Sequence, residues 1–339
     1  MKSLNFLFPE PQKIVLVEED VPRLGPDTIL IKTIVSHVST GTESFCYRGI
    51  FDPGTLWDGW VKYPFRPGYS TAGQVIEVGK DVTDFKPGDL VYCGRPHGQY
   101  ITIEYDDAAK AHHSPPLHKI PSELEPDEVI WSSMAGVAIV GCRKAKIEFG
   151  ENVAVIGAGP IGQLTIQYAK ICGAVRVVSI DPVQKRNDCA LVSGATDVLT
   201  MDAESAVPEI EKLLGMQPEV IFDTTGNYKV LPIACEMVGL YGRIILNGDS
   251  PEPSKQVLGP TVVAKSLDIS GCHGNKAGDI ASLPWVGGRN QLMTFELMKQ
   301  KRLKVKHLIS HRYKPEEAPE VYDKLLHGRD YSMGVVFDW

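Results

Sequence analysis

The stretch NVAVIGAGPIGQLTIQYAK, residues 152–170, constrains the fold of this chain more than any other. A short apolar run leads into GAGPIG, which places Gly157, Gly159 and Gly162 in G-x-G-x-x-G register, and an amphipathic helix pattern follows. In that context the first glycine permits a tight turn, the second lets a pyrophosphate approach the backbone, and the third lets helix and strand pack closely. The stretch therefore predicts a dinucleotide-binding strand–turn–helix unit.

A carboxylate follows at the spacing that such a unit requires. Asp181 ends the next apolar run, where it can accept hydrogen bonds from both ribose hydroxyls and repel a 2′-phosphate. Lys185 and Arg186 come soon after, and a nearby cation tolerates the extra phosphate. The pattern favours NAD over NADP as the cofactor, with Pro160 and Ile161 at the helix start facing its phosphates.

The rest of the chain changes its pattern twice. Residues 1–120 hold short β-type runs separated by Gly and Pro, which predicts an antiparallel, partly barrel-like domain with a hairpin at KPGD. From Asn152 strand and helix patterns alternate, which predicts a parallel doubly wound sheet. The tail holds two helix patterns and a closing strand, GVVFDW, and we expect it to pack on the first domain. The predicted α/β fold thus has a β-rich domain at 1–132 and 275–339 and a dinucleotide-binding domain at 133–274.

Composition excludes several classes of partner. The net charge is −7 and acidic residues are scattered, which argues against nucleic acid as a partner. Apolar runs are far shorter than the roughly 20 residues of a membrane span, and the first is too short for a signal peptide, so we expect no membrane contact and a cytoplasmic location. The 7 cysteines lack disulfide or CxxC spacing, and the histidines of AHHSPPLHKIP are expected on a loop surface.

The order of these parts resembles the medium-chain dehydrogenase/reductase family, which includes the zinc alcohol and polyol dehydrogenases. The resemblance covers nearly the whole chain and rests on GYSTAGQVIEVGKDVTDFKPGDLVY, NVAVIGAGPIGQLTIQYAKICGA, VSIDPVQKRNDCALVSGA, VIFDTTGN and HLISHRYKPEEAPEVYDKL. It implies a GroES-like catalytic domain and a Rossmann domain, with a small-molecule substrate in the cleft between them. It also implies that Thr224 and Thr225 line the cofactor ribose and that Cys272 and His273 lie near the nicotinamide amide. Finally, it implies a homodimer or homotetramer that pairs through the sheet edge at KSLDISG.

The same resemblance puts hydroxyl groups where the metal-dependent members hold zinc. Those members carry a Cys before Gly-Thr/Ser-Asp and a His-Glu pair in a PGHE segment. Here STGTE puts Thr40 at the first position, and PGYS puts Tyr69 and Ser70 at the other two. All three side chains are neutral at pH 7 and are poor zinc ligands. The segment YCGRPHGQYITIEY also lacks the closely spaced cysteines of the structural-zinc lobe, so we predict no metal at either place.

Without zinc, other groups must handle the proton that leaves or joins the substrate oxygen during hydride transfer. The resemblance matches Thr42 to the hydroxyl that relays this proton, and Glu43 to the acid behind the metal-binding His. We expect Glu43 to hydrogen-bond or polarise Tyr69 and raise its pKa, which keeps the phenol a donor; a Glu43 with a raised pKa is the alternative base. Space filling is the alternative role for both side chains. His97 and Arg95, in a Gly/Pro-flanked loop, are expected to reach the substrate.

The segment FDPGTLWDGWVKYPF carries Trp57 and Trp60 between the two site motifs. Aromatic faces stack on sugar rings or flat conjugated ligands, although a hydrophobic cover or a dimer contact would use the same residues. With Thr40 and Arg95 they are expected to line the substrate pocket.

These features together predict an NAD(H)-dependent, zinc-independent oxidoreductase that interconverts a secondary alcohol and a ketone, on a sugar, glycoside or cyclitol-type substrate. One alternative is a dehydrogenase of a large conjugated substrate, because the S-x-GTE variant also resembles the bacteriochlorophyllide dehydrogenases. The others are a metal-free quinone or enoyl reductase and a non-enzymatic NAD(P)H-sensing protein.

Overall fold

The computed structural model describes residues 1–105, 117–273, 289–328 and 332–339. The strands are β1 (Lys2–Leu7), β2 (Val15–Asp20), β3 (Thr28–Val38), β4 (Thr71–Val78), β5 (Leu90–Cys93), β6 (Tyr100–Glu104), β7 (Leu117–Lys119), β8 (Asn152–Ile156), β9 (Arg176–Ile180), β10 (Asp197–Leu199), β11 (Val220–Asp223), β12 (Arg243–Leu246), β13 (Asp268–Gly271), β14 (Ile309–Tyr313) and β15 (Gly334–Asp338). The helices are α1 (Thr40–Arg48), α2 (Leu56–Trp60), α3 (Pro126–Val129), α4 (Ser132–Ala145), α5 (Pro160–Cys172), α6 (Gln184–Val192), α7 (Ala203–Leu214), α8 (Val230–Met237), α9 (Arg289–Lys299) and α10 (Ala318–His327). Within the described ranges, no helix is long and apolar enough to span a membrane.

Seven strands form the sheet of the β-rich part, in the order β14-β15-β3-β4-β5-β7, with β6 also paired to β3. The long strand β3 lies at the centre of this sheet. It is therefore buried at nearly every position, with only Lys32 and Ile34 exposed. It pairs with β4 along one side, and with β6 and β15 along the other. The KPGD turn joins β4 to β5 as an antiparallel pair, with Gly88 at φ 96°, which confirms the predicted hairpin.

Six parallel strands form the second sheet, in the order β10-β9-β8-β11-β12-β13. Val153 and Val155 face a core shared with α4 and α5, whereas Ala154 and Ile156 face a core shared with α7 and α8. Because helices cover both faces, strands β8, β9, β11 and β12 are apolar at most positions. The strand order reverses between β8 and β11, which leaves a crevice at their carboxyl ends where such sheets bind nucleotides. The predicted α/β fold, with a GroES-like and a Rossmann part, is confirmed.

The tail divides between the two sheets. As predicted, its closing strand β15 pairs with β3, and α10 packs on α1. Helix α9 differs from the prediction, because it packs on α4 and α5 through Phe295 and Met298. The hydroxyls of Thr294 and Tyr168 on α5 are 3.2 Å apart there. The predicted boundary at 274/275 lies outside the described residues, and the division into domains remains a prediction.

Candidate active site

The glycine turn between β8 and α5 is tight at two glycines and open at the third. Gly157 has φ 92°, and a Cβ on Gly162 would lie 1.9 Å from the carbonyl oxygen of Gly157. Gly159 is the N-cap of α5, which begins with Pro160 and Ile161, and no described atom lies within 4 Å of a Cβ on Gly159. The turn therefore packs closely against the sheet while its middle glycine leaves the backbone open to a phosphate.

Two side chains hold this turn in shape. Thr224, directly after β11, donates a hydrogen bond from Oγ1 to the Gly157 carbonyl at 2.8 Å. Gln163 is fully buried and donates from Nε2 to the carbonyls of Ala158 and Arg186, at 3.0 and 2.9 Å. Sequence reasoning missed Gln163, although a polar residue inside an apolar helix pattern was the available signal.

Asp181 follows β9 and accepts hydrogen bonds from the glycine turn and from the backbone just after itself. Its Oδ2 accepts from the Ala158 amide and its Oδ1 from the Val183 amide, both at 2.9 Å. Arg186 lies 3.5 Å from Oδ2 and offsets its charge. Because each carboxylate oxygen can accept more than one hydrogen bond, Asp181 keeps acceptor capacity for ribose hydroxyls at the predicted position.

Further polar groups gather at the carboxyl ends of β11, β12 and β13. Thr225 donates to Asp223 at 2.6 Å, and burial raises the pKa of Asp223 to about 6. The thiol of Cys272, which His273 follows, donates to Oδ1 of Asn247 at 3.2 Å. Nδ2 of Asn247 is buried and has no hydrogen-bond partner among the described residues. Sequence reasoning missed Asn247, whose side-chain amide lies against Gly141 of α4.

A pair of hydroxyl groups lies where α1 meets the start of β4. Tyr69, just before β4, donates from Oη to Oγ1 of Thr42 at 3.4 Å. Burial raises the pKa of Tyr69 well above its ordinary value; the hydroxyls of Ser39 and Thr42 act in the opposite direction, and the charge of Glu43 adds to the increase. The phenol therefore stays protonated and acts as a donor, as predicted for a phenol beside a carboxylate.

Glu43 acts on Tyr69 through charge, and its own hydrogen bonds go elsewhere. Its Oε1 accepts from the Ser39 amide at 2.8 Å, and its Oε2 accepts from the Tyr322 hydroxyl at 2.5 Å and lies 3.1 Å from Nε2 of His97. The residue is 1% exposed. The prediction of Glu43 as a base for the substrate is wrong, because three donors enclose the carboxylate away from the cleft.

The same network encloses His97. Its Nδ1 lies 2.7 Å from Oγ of Ser36, and that oxygen also accepts from the indole N–H of Trp339 at 2.8 Å. The Ser36 proton is therefore directed at Nδ1, which leaves Nε2 to donate to Glu43. The side chain of His97 is fully buried. The prediction that His97 contacts the substrate is wrong, because both ring nitrogens are bound within the protein.

Helix α1, which carries Thr42, approaches the parallel sheet through Phe45. Phe45 lies three residues after Thr42 and so shares its face of α1. A Cβ on Gly226, after β11, would lie 3.4 Å from Cε2 of Phe45. The amide of Asp52 donates to the carbonyl of Pro251 at 2.9 Å, which fixes the loop after β12 to the β-rich part. The Thr42–Tyr69 pair therefore lies beside the carboxyl edge of the sheet.

Family models match both parts of the chain. A family model described as an alcohol dehydrogenase GroES-like domain matches residues 25–111, and one described as a zinc-binding dehydrogenase matches residues 160–287. The chain belongs to the medium-chain alcohol and polyol dehydrogenase family. It is an oxidoreductase of that family, whose members use pyridine nucleotides.

Individual relatives are distant but cover the whole chain. The sorbitol dehydrogenase of Mus musculus is 27% identical over 96% of this chain and 94% of its own length. The solved galactitol-1-phosphate dehydrogenase of Escherichia coli superposes with a TM-score of 0.78 at 21% identity, with both chains covered completely. An alcohol dehydrogenase from Escherichia coli CFT073, solved with NADH, gives a TM-score of 0.81 at 17% identity over 100% of this chain and 99% of its own.

The residues that the resemblance matches to the zinc ligands carry neutral hydroxyl groups, which are poor ligands for zinc. Thr40 begins α1 with a buried side chain, Ser70 donates to the carbonyl of Ile130, and Tyr69 is held by Thr42. Across residues 1–105, 117–273, 289–328 and 332–339, no three His, Cys, Asp or Glu side chains are grouped as a metal would require. His112 and His113 of the predicted surface loop lie outside the described residues.

The remaining predicted substrate residues lie in different environments. Trp57 is 7% exposed, and Phe51 stacks parallel to its ring with centroids 5.9 Å apart. Phe51 therefore covers one face of the Trp57 ring, and a contact of Trp57 with the substrate remains a prediction. Trp60 is 45% exposed, and Arg95 is half-buried with its carbonyl bound by Thr71. The roles of Trp60, Arg95 and Thr40 remain predictions.

Proposed function

We propose that this protein is a zinc-independent, NAD(H)-dependent oxidoreductase that interconverts a secondary alcohol and a ketone. The observation that carries the proposal is the hydrogen bond between the hydroxyls of Tyr69 and Thr42. The resemblance matches Tyr69 to a zinc ligand and Thr42 to the hydroxyl that relays the substrate proton. When a substrate oxygen is bound, the phenol would turn its single proton from Thr42 to that oxygen and accept the proton of the Thr42 hydroxyl instead. A carbonyl oxygen that gains negative charge during hydride addition is a natural acceptor for it.

Separate residues of this chain bind the substrate oxygen and the cofactor. A bound nicotinamide ring supplies or accepts the hydride. Burial keeps the Tyr69 phenol neutral, so that it would stabilise negative charge on the substrate oxygen as a donor. The proton that this oxygen gains in reduction, or loses in oxidation, would pass through the phenol to the hydroxyl of Thr42, which is only half-buried, and on to solvent. Thr42 orients the phenol, and Asn247 has a free donor, Nδ2, for the cofactor amide.

The choice of NAD rests on Asp181. Its carboxylate supports ribose binding and disfavours a 2′-phosphate, although Arg186 offsets part of the charge. We expect kcat/KM with NAD to exceed that with NADP, and Asp181→Ser to reduce the ratio at least tenfold. A wild-type preference for NADP would refute this choice.

The substrate class is proposed from the relatives. Similarity to sorbitol dehydrogenase over 96% of the chain supports a polyhydroxylated substrate such as a sugar alcohol, glycoside or cyclitol. The test is a turnover screen of polyols, glycosides and enones with NAD(H), run beside metal analysis of the purified protein. We expect polyol turnover that chelator leaves unchanged. Activity that disappears with EDTA and returns with zinc would refute zinc independence.

We further propose a homodimer or homotetramer. Strand β13 ends the parallel sheet, and the segment before it exposes Val257, Leu258 and Val263, the last at 89%. Apolar side chains beside an open edge favour pairing with a second copy. Light scattering should give a multiple of the 37.2 kDa chain mass, and Val263→Asp should lower it. A monomeric wild type would refute the assembly.

A further inference from the structure

A chain of hydrogen bonds runs from the segment before β14 to the glycine turn. Nε2 of His307, which precedes that strand, lies 3.0 Å from Oγ of Ser193, the residue at which α6 ends. The Ser193 hydroxyl donates to Oε1 of Gln163 on α5 at 2.8 Å. Gln163 in turn donates from Nε2 to the carbonyls of Ala158 and Arg186. The chain thus joins a residue of the C-terminal segment to the turn at which the cofactor pyrophosphate is expected.

The direction of each bond in this chain is determined. Nε2 of Gln163 contacts two carbonyl oxygens, so the nitrogen of its amide must be on that side and the oxygen on the other. Oε1 then accepts the one proton of the Ser193 hydroxyl. With that proton used, Oγ of Ser193 accepts from His307, whose Nε2 therefore carries a proton. Burial and the charge of Lys304 lower the pKa of His307, so this proton is the only one on the ring at pH 7.

Gln163 connects the two backbone segments that are expected to hold the cofactor. Oδ2 of Asp181 accepts from the Ala158 amide at 2.9 Å and lies 3.5 Å from the guanidinium of Arg186. Gln163 binds the carbonyls of those same two residues, so the four residues form a closed ring of polar contacts. If the amide turned over, its oxygen would face two carbonyl oxygens, and both segments would lose their shared donor. The orientation of one amide therefore couples the glycine turn to the carboxylate.

We propose that Ser193 and His307 are positioning residues for the cofactor, which fix the orientation of the Gln163 amide and so hold the glycine turn and Asp181 in the geometry that binds NAD(H). Both act through Gln163. Their loss should therefore weaken NAD(H) binding, and it should not slow hydride transfer once the cofactor is bound. The inference rests on the proposed function, because it assumes that the glycine turn binds NAD(H).

Helix α5 offers a matched control one turn beyond Gln163. Gln167 is also buried, and it donates from Nε2 to the carbonyl of Lys304 at 2.9 Å and accepts from the Lys304 amide at 2.8 Å. These bonds fasten α5 to the segment that carries His307, but they do not involve the glycine turn. Gln167→Leu should therefore lower the melting temperature and leave NADH affinity unchanged.

The experiment is a fluorescence titration of each variant with NADH, with thermal unfolding measured beside it. We expect Ser193→Ala and His307→Phe each to raise the Kd for NADH roughly fivefold, because each removes one bond that orients the amide. The double variant should stay within about twofold of either single variant, because both act through Gln163. His307→Gln, which keeps an N–H donor, should stay within about twofold of wild type. In turnover the effect should appear in KM for NAD and not in kcat at saturating NAD.

Wild-type affinity in both Ser193→Ala and His307→Phe would overturn the inference while the proposed function stands. A double variant weakened about 25-fold would also overturn it, because the two residues would then act independently. The same holds if Gln167→Leu loses as much affinity as Ser193→Ala, since any loosening of α5 would then have this effect. Wild-type protein that binds no NADH would refute the proposed function and this inference together. Because Ser193→Ala removes a single oxygen atom, it keeps the test decisive if His307→Phe does not fold.

Discussion

Replacing Tyr322 by Phe tests whether the buried carboxylate of Glu43 fastens the C-terminal helix to α1. Tyr322 lies on α10 with 0% exposure, and its hydroxyl donates to Oε2 of Glu43 at 2.5 Å. Phenylalanine keeps the edge-to-face contacts with Phe6 and Phe8, at centroid distances of 6.5 and 5.1 Å. The substitution therefore removes one hydroxyl and leaves the packing of the ring intact.

The size of the effect follows from what Glu43 retains. A hydrogen bond to a charged group contributes about 1.5–3 kcal/mol, against about 0.5–1.5 kcal/mol for a neutral bond. Glu43 keeps the Ser39 amide and His97 as donors, so the carboxylate is not left unpaired. We therefore expect a loss of about 2 kcal/mol. Tyr47→Phe is the matched control: its ring centroid lies 5.7 Å from that of Tyr322, but its hydroxyl donates to a neutral carbonyl at 2.9 Å, so about 1 kcal/mol is expected.

The assay is urea unfolding of both variants and the wild type, followed by tryptophan fluorescence, with the free energy of unfolding as the result. The three proteins are compared at one pH and one protein concentration. The reasoning requires Tyr322→Phe to be the more damaging substitution by about 1 kcal/mol. If Tyr322→Phe costs no more than Tyr47→Phe, Glu43 does not act as a charged anchor and the reasoning is refuted.

Three further predictions concern the cleft and the core. Gly159→Ala should leave the melting temperature unchanged but weaken NADH binding at least tenfold. Gly162→Ala should weaken binding and also destabilise the fold, because its Cβ would lie 1.9 Å from a backbone oxygen. Equal stability of the two variants would contradict this. Tyr69→Phe should lower kcat at least tenfold with NADH affinity intact, and full turnover would remove Tyr69 from the mechanism. Burial lowers the pKa of His37 from 6.5 to about 3. The folded state therefore resists protonation, and its stability is complete above about pH 6.5 and falls below it. Between pH 7 and pH 5 the wild type should lose about 2 kcal/mol more than His37→Phe, as measured by denaturant unfolding at each pH; an equal loss in both would refute the assignment.

The sequence predicted those parts of the fold whose backbone conformation is determined by neighbouring residues in the chain. The turn at Gly157 is readable because only glycine tolerates its backbone geometry and the contact of Gly162. Helix α5 ends at Gly173 for the same reason, since that residue has φ 110°. The buried strands were predicted from continuous apolar runs, and the hairpin from its Pro-Gly-Asp turn.

Helix α1 shows why the rest was not predictable. Its sequence, TGTESFCYR, has no apolar periodicity, so nothing in it indicates a helix. The helix is stabilised instead by distant residues, chiefly His97 and Tyr322, which bind Glu43 on its first turn. Asn247 was missed for a related reason. Its significance comes from its place at the carboxyl edge of the sheet, and a sequence does not show which polar residues lie there.

Glu43 illustrates how a family position can keep its residue type without keeping the expected role. The resemblance matched it to an acid behind a metal-binding histidine, and that match suggested a catalytic carboxylate. In this chain the position of that histidine holds Tyr69, and Glu43 binds His97 instead, 54 residues away in sequence. Its charge still reaches the cleft, because it helps to keep the Tyr69 proton in place. Glu43 therefore affects the chemistry indirectly, as an enclosed anion that joins the C-terminal helix to α1 and holds its neighbour neutral, and not as a group that meets the substrate.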